Sequence, residues 1–472
     1  MLNSKCPLKI ARKIPNVKTL AHQFLLFLRI LKNQIRLQGT VKRRISMDNQ
    51  KGFRKYLILT FLIGFGFFTM GLMDPLYDTY IPIFLKRYIR SNAIIGSVMT
   101  LDNILQLFLI PVVSIWSDRT RTRFGRRIPF IIVMLPLSAI LFSMIPSMAG
   151  ISLAALIIIL FLFNIFKTSV RGPVVALMPD TIPGDYRSEA NGVINTMGGI
   201  GLIIGTLVLA RLMQLNESLP FVTAGAFVLF ATVILFIFVK ERKPEETEEE
   251  KQPSVMASLK MIFTSGDSSV IRILFSLFFW FMAYEGAKPF LGLYLVDVMK
   301  VSSGNAALAQ GIAGIASVLL AIPSGYLAHK MGRRNFIRMS LTILALILLL
   351  VPTTGYISRT FALPAGSSLI LFLILMFLYG AVWIGVVVNS FPMLWQMASY
   401  GNMGIYTGLY YTFSQAAAIS APPITGAIID IAGYPGIFIF GSISMMAAWF
   451  IMGGVKRGEA HNKPQESSTQ NA

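Results

Sequence analysis

Residues 151–178 read ISLAALIIILFLFNIFKTSVRGPVVALM. A helix rises about 1.5 Å per residue, so about 20 apolar residues cross the roughly 30 Å of lipid hydrocarbon. This run is long enough, and Lys167 and Arg171 are its only charges. It lacks the period-two alternation of a barrel strand. In lipid every backbone N–H and C=O needs an internal partner, and a helix supplies them within one segment. The stretch therefore predicts a membrane-spanning helix. It also holds two cations where each ionisable group costs about 2.5–3.5 kcal/mol.

Read outward from there, the chain holds twelve such runs, at 56–80, 93–113, 129–148, 151–178, 190–210, 220–240, 270–296, 306–327, 335–356, 367–390, 404–426 and 435–455. Of the 472 residues, 55% are hydrophobic and 13% charged; a soluble domain carries about 25% charged residues. Mean hydropathy is +0.67. The expected fold class is an all-α membrane protein of twelve transmembrane helices in two pseudo-symmetric six-helix bundles. The net charge is +21. Most of the 42 lysines and arginines fall in connections on the side of the N-terminus, which places both termini in the cytoplasm. Lys86-Arg87-Tyr88-Ile89-Arg90 dissents, on the expected outer side. Because the basic residues sit between apolar spans, topology explains them and no nucleic-acid partner is expected.

The expected organisation is a basic N-terminal extension at 1–46, a six-helix bundle at 47–240, a linker at 241–268, a second bundle at 269–456 and a polar tail at 457–472. The linker contains Pro244-Glu245-Glu246-Thr247-Glu248-Glu249-Glu250-Lys251, a solvated charge run. Met47 opens an ordinary lead-in to the first span, so it is expected as the natural start. Cys6 is the single cysteine, and His22, His329 and His461 all lie outside the spans. No disulfide, metal or cofactor is expected. A phosphate-cradling loop of the Walker type is absent, which disfavours transport driven by ATP.

A loop pattern recurs after the second span of each half. The first copy runs Ser117-Asp118-Arg119-Thr120-Arg121-Thr122-Arg123-Phe124-Gly125-Arg126-Arg127. The second runs Gly325-Tyr326-Leu327-Ala328-His329-Lys330-Met331-Gly332-Arg333-Arg334. Glycine permits a tight bend, and a carboxylate can cap a helix or pair with arginine. Such a cluster either holds a gate or merely anchors the loop. The repeated loop resembles the hallmark loop of the major facilitator superfamily. The longer first copy, with Arg171-Gly172-Pro173 through Asp180 and Arg187-Ser188-Glu189, is similar to the sucrose–proton symporter-like branch and the glycoside–pentoside–hexuronide cation symporters. Two departures stand out. Asn164 and Val175 replace an acid and an arginine of the plant-type sucrose carriers. Gln106 and Ile110 stand near the paired acids of the melibiose-type carriers, with Asp102 one turn away.

The resemblance implies that the first, fourth, seventh and tenth helices line a central cavity. The ionisable candidates deep within the spans are Asp74, Asp78, Asp102, Lys167, Arg171, Glu285 and Lys288. Their burial cost asks for a reason. Asp74, Asp78, Asp102 and Glu285 are the candidates for coupling to a cation. Asn164, Lys167, Arg171, Tyr284, Lys288, Trp383, Asn389, Tyr410 and Gln415 are the candidates for holding a solute, with aromatic rings as stacking platforms for a sugar. The gating candidates are Asp118, Arg119, Arg123, Gly125, Arg126, Arg127, Asp180, Arg187, Gly325, Gly332, Arg333 and Arg334. Gly198, Gly201 and Gly205 offer a close-packing face.

The expected function is secondary active transport at the cell membrane, not enzymic catalysis. The chain would import a sugar or glycoside with a proton or sodium. An antiporter or exporter of another small solute is the alternative. A non-transporting receptor ranks below both, since it has no need of buried charge. The expected partners are the solute, the coupling ion and the lipid bilayer.

Overall fold

The computed structural model describes residues 47–183, 186–241, 268–361, 366–397 and 403–458. The chain divides into two units, Met1–Ile58 and Leu59–Ala472; the contacts discussed below lie within the second. The N-terminal extension, the acidic run of the linker and the tail beyond 458 lie outside the described residues.

The described chain is all-helical. Its principal helices number twelve: α1 (Met47–Lys86), α2 (Asn92–Arg119), α3 (Ile128–Ile151), α4 (Leu153–Thr181), α5 (Arg187–Ile203, extended by turns to Gln214), α6 (Leu219–Phe238), α7 (Ser268–Val298), α8 (Leu308–Met331), α9 (Arg333–Leu350), α10 (Ser367–Trp395), α11 (Met403–Ala432) and α12 (Pro435–Met452). Eleven are long and apolar enough to cross a membrane; α11, with Tyr406, Tyr410, Tyr411, Gln415, Pro422 and Pro423, falls outside that set.

Sequence chemistry sets the ends. Ser91 and Ser152 are N-caps whose hydroxyls accept from Ile94 N at 3.4 Å and Ala155 N at 3.1 Å, filling donors a helix leaves open. α1 runs further than the 56–80 expected, because its apolar character continues through Ile81, Phe84 and Leu85, all fully buried. That extension places Asp78 well inside the helix. α7 is broken where Pro289 interrupts it: a short 3-10 turn covers Lys288–Phe290 and a π turn covers Tyr294–Val298. Proline has no N–H, so the carbonyl four residues back, on Glu285, loses its usual donor.

Packing is strongest within two sets. In the first, α3 packs on α4 and α6, and α2 on α4. In the second, α7 packs on α11 and α12, α9 on α10 and α12, and α8 on α10. The sets meet where the start of α2 lies on α11 and where α5 lies on α8. Gly201 and Gly205 do the close packing anticipated for them: a Cβ at either would strike backbone of Phe68 or Leu72 in α1.

Candidate functional site

A cavity of about 170 Å³ lies between the two sets. Its wall includes Asp74 and Asp78 from α1, Asp102 and Gln106 from α2, Lys167 and Arg171 from α4, Glu285, Lys288 and Pro289 from α7, and Gln415 and Pro422 from α11. All seven of the ionisable candidates named above therefore converge on one space, four acids against three bases.

Each cation is held differently. Lys167 Nζ lies 2.7 Å from Asp74 Oδ1, with only 8% of its side chain exposed. It also sits 4.9 Å from the Tyr77 ring centroid, a favourable place for a cation. Lys288 Nζ lies 2.9 Å from Asp78 Oδ2 and 3.7 Å from Glu285 Oε2. Glu285 and Lys288 are one helical turn apart, so α7 alone brings them to one face. Arg171 Nη1 donates to Gln106 Oε1 at 3.3 Å, and Gln106 Nε2 donates to Asp102 Oδ2 at 3.5 Å. Among the described residues no ion pair includes Asp102 or Arg171.

Five candidates for holding a solute lie off this wall. Asn164 Nδ2 donates to Tyr77 OH at 2.8 Å. Trp383 stacks on Tyr284, with ring centroids 4.5 Å apart and planes within 4°, and faces Tyr379 on its other partner contact at 6.3 Å. Asn389 Nδ2 donates back to Gly385 O of its own helix at 2.8 Å. Tyr410 OH lies 3.2 Å from Ser390 Oγ, and both are buried. Asn164, Tyr284, Trp383, Asn389 and Tyr410 thus each contact other protein groups and lie off the cavity wall. Gln415 does line the cavity. Met99, Asn103, Gln106, Pro289 and Pro422 line it too, although none was a candidate: a neutral side chain in a span carries no burial penalty large enough to mark it.

The family model of the Major Facilitator Superfamily matches residues 56–422. The chain belongs to this superfamily. It is thus a multi-pass membrane protein. It is 28% identical over 211 residues to the general alpha-glucoside permease of Schizosaccharomyces pombe, covering 39% of this chain and 38% of that one. It is equally 28% identical over 206 residues to multidrug resistance protein 1 of Bacillus subtilis, covering 42% and 50%. The chain thus spans half or less of the length of these curated relatives. Its fold is like that of the nucleoside transporter NupG, with a TM-score of 0.64 at 14% identity over 84% of this chain and 98% of that one.

The superfamily's hallmark loop forms a second charge cluster in this protein. Asp180, at the end of α4, accepts from Arg126 Nη2 at 2.6 Å, Arg126 Nε at 3.0 Å and Arg127 Nε at 2.8 Å. Arg127 also pairs with Asp118 and donates to Ser117 Oγ at 2.6 Å. The hydrogen bond to Asp180 holds the Arg126 guanidinium above its ordinary pKa. Glu241, just beyond α6, accepts from the backbone N–H groups of Arg126, Arg127 and Ile128, each at 2.7 Å. It caps α3 from a distant segment, a role that sequence spacing does not reveal. Gly125 has φ of +107°, and a Cβ there would strike the Glu241 carboxylate. Arg187 donates to Pro179 O at 2.9 Å and Ile182 O at 3.3 Å, closing the end of α4. Arg119 and Arg123 are exposed, the latter 4.6 Å from the Phe124 ring centroid.

The second loop copy, Gly325 to Arg334, contains no Asp or Glu of its own. Gly332 turns the chain with φ of +86°. Arg334, next to Arg333, donates to Gly453 O at the end of α12, and Arg272 donates to Gly454 O, placing cations where the helix dipole favours them. A Cβ on Gly325 would meet open space, so its small size serves no contact.

At the opposite end the two sets are clasped. Asp430, near the end of α11, accepts from Ser91 Oγ at 2.6 Å, Asn92 N at 2.7 Å, Asn92 Nδ2 at 2.8 Å and Ala93 N at 3.1 Å. A carboxylate on a helix N-terminus is a charge-assisted contact. Tyr80 OH lies 3.0 Å from Ser303 O and 3.2 Å from Ala210 O, joining α1 to the connection before α8.

Proposed function

We propose that the protein is a secondary active transporter of the cell membrane that moves a polar solute together with a proton or sodium ion by alternating access. The observation that carries this reading is the shared cavity of four acids and three bases. An uncompensated negative charge in a low-dielectric space is a place for a coupling cation, and the surplus sits where Lys288 answers both Asp78 and Glu285. The cavity is lined by five helices, α1, α2, α4, α7 and α11, drawn from both sets, so relative motion of the sets would open it to alternate sides. A sugar or glycoside is the solute class favoured by the family resemblance, and the glucoside permease supports it. The drug-resistance relative supports a second reading, export by exchange with a cation, which the surplus acid would serve equally.

The test is uptake into proteoliposomes carrying an imposed proton or sodium gradient, with a panel of labelled sugars, amino acids and cationic drugs. Import coupled to one gradient is the expected result. Asp78→Asn and Glu285→Gln should each lower accumulation more than tenfold while sparing solute exchange. Entry that ignores both gradients and never saturates would sink the reading. Extrusion driven by an opposing cation gradient would favour export.

A further inference from the structure

The cavity's ionisable groups sort into three sets by contact. Lys167 is answered by Asp74. Lys288 is shared by Asp78 and Glu285, leaving one negative charge over. Asp102 and Arg171 are opposite charges in the same cavity that do not touch. What joins them is the Gln106 carboxamide, through contacts of 3.5 Å and 3.3 Å, both beyond the usual N–H···O range. Asp102 is 9% exposed, and among the described residues its Oδ1 has no hydrogen-bond partner. A buried carboxylate oxygen left unpaired is costly, and so is a guanidinium held only by a long amide contact.

The polarity of the bridge is fixed by chemistry. The reverse amide orientation would set oxygen against carboxylate and N–H against guanidinium. As placed, Gln106 shows N–H to the acid and C=O to the arginine. A solute with an ammonium and a carboxylate a few bonds apart shows the same pattern with full charges. Two opposite full charges attract more strongly in a low-dielectric space than a charge and an amide dipole do. We infer that Asp102 and Arg171 are the two ends of a clamp for a zwitterionic solute of amino-acid size, with Gln106 as the placeholder it displaces.

The inference rests on the reading of the protein as a solute transporter and narrows its cargo. Three alternatives fit the clamp less well. A neutral sugar's hydroxyls can hydrogen-bond to both groups but bring no charge to answer either. A plain anion would add to the surplus negative charge. A plain amine would leave Arg171 unanswered. A zwitterion adds no net charge, so the coupling cation keeps its own place beside Lys288 and the two cargoes do not compete. Asn103 and Gln415 on the wall offer hydrogen bonds to the remainder of the solute.

The experiment is binding to the purified protein, read by thermal shift and equilibrium competition, with size-matched probes. These are amino acids with the amine at increasing distance from the carboxylate, the same chains lacking the amine, the same chains lacking the carboxylate, and methyl glucoside. At least one amino acid should bind tenfold or more tighter than both of its half-analogues and the glucoside. Asp102→Asn should erase the preference over the carboxylate analogue. Arg171→Gln should erase the preference over the amine, and Arg171→Lys should keep part of it. The wild-type selectivity alone decides the matter where a variant does not fold. Binding of glucoside with no amino acid bound, or binding indifferent to loss of either charge in folded variants, overturns the clamp. Gradient-driven glucoside uptake would then leave the transport reading intact. Amino-acid selectivity without gradient-driven movement would uphold the clamp and overturn coupled transport instead.

Discussion

The loop cluster and the cavity are made of the same residue types and behave as opposites. Around Asp180, carboxylates meet two guanidiniums through several short contacts, and Glu241 satisfies three backbone donors at 2.7 Å each. These contacts all run among α2, α3, α4 and the chain leaving α6. In the cavity, one acid lacks a cation, one arginine lacks an acid, and a long-bonded amide stands between them. A saturated network fixes helices relative to one another, whereas an unsaturated one has contacts left to make with something that arrives. That difference separates a structural charge cluster from a working one more surely than the number of charges does.

The comparison can be broken from either side. The largest effect is expected at Asp180→Asn, which leaves the Arg127 guanidinium, 5% exposed, with a weakened partner. The loss should approach about 3–5 kcal/mol, seen as a sharp drop in the thermal unfolding midpoint in detergent. Glu241→Ala should cost about 2 kcal/mol by uncapping α3; an unchanged midpoint would mean that water replaces the carboxylate freely. Asp430→Asn weakens the clasp at the far end by about 1.4 kcal/mol, or roughly tenfold in the population open there. A Met99→Cys probe in a Cys6→Ser background should then react about tenfold faster with an impermeant thiol reagent added from the Asp430 side. The smallest stability effect belongs to Asp78→Asn, below about 1 kcal/mol, because Lys288 keeps Glu285. A large destabilisation at Asp78 would make the cavity as structural as the loop and end the contrast.

The fold was legible because lipid makes apolar length decisive. The ends were less so: α1 reaches beyond Tyr80, where Lys86 looks like an approaching surface but is carried on a helix whose apolar residues stay buried. The cavity was legible through its charges, since burial penalises each one and nothing else explains all seven. Neutral members of the wall, Gln106 above all, left no such mark. Trp383 and Tyr284 have the chemistry to stack on a sugar, and the sequence does not reveal that they stack on each other. Glu241 and Asp430 act on helix ends far away in the chain, and pairings of that kind are set by packing.

Where Asp430 clasps α2, the helices beneath it meet without side chains between them. A Cβ on Gly96 would fall on the Pro422 carbonyl, and one on Gly426 on the Asn92 carbonyl. A seam of main chain against main chain has no rotamers with which to yield gradually. It has no graded way to part, and one added methyl group would keep it from seating.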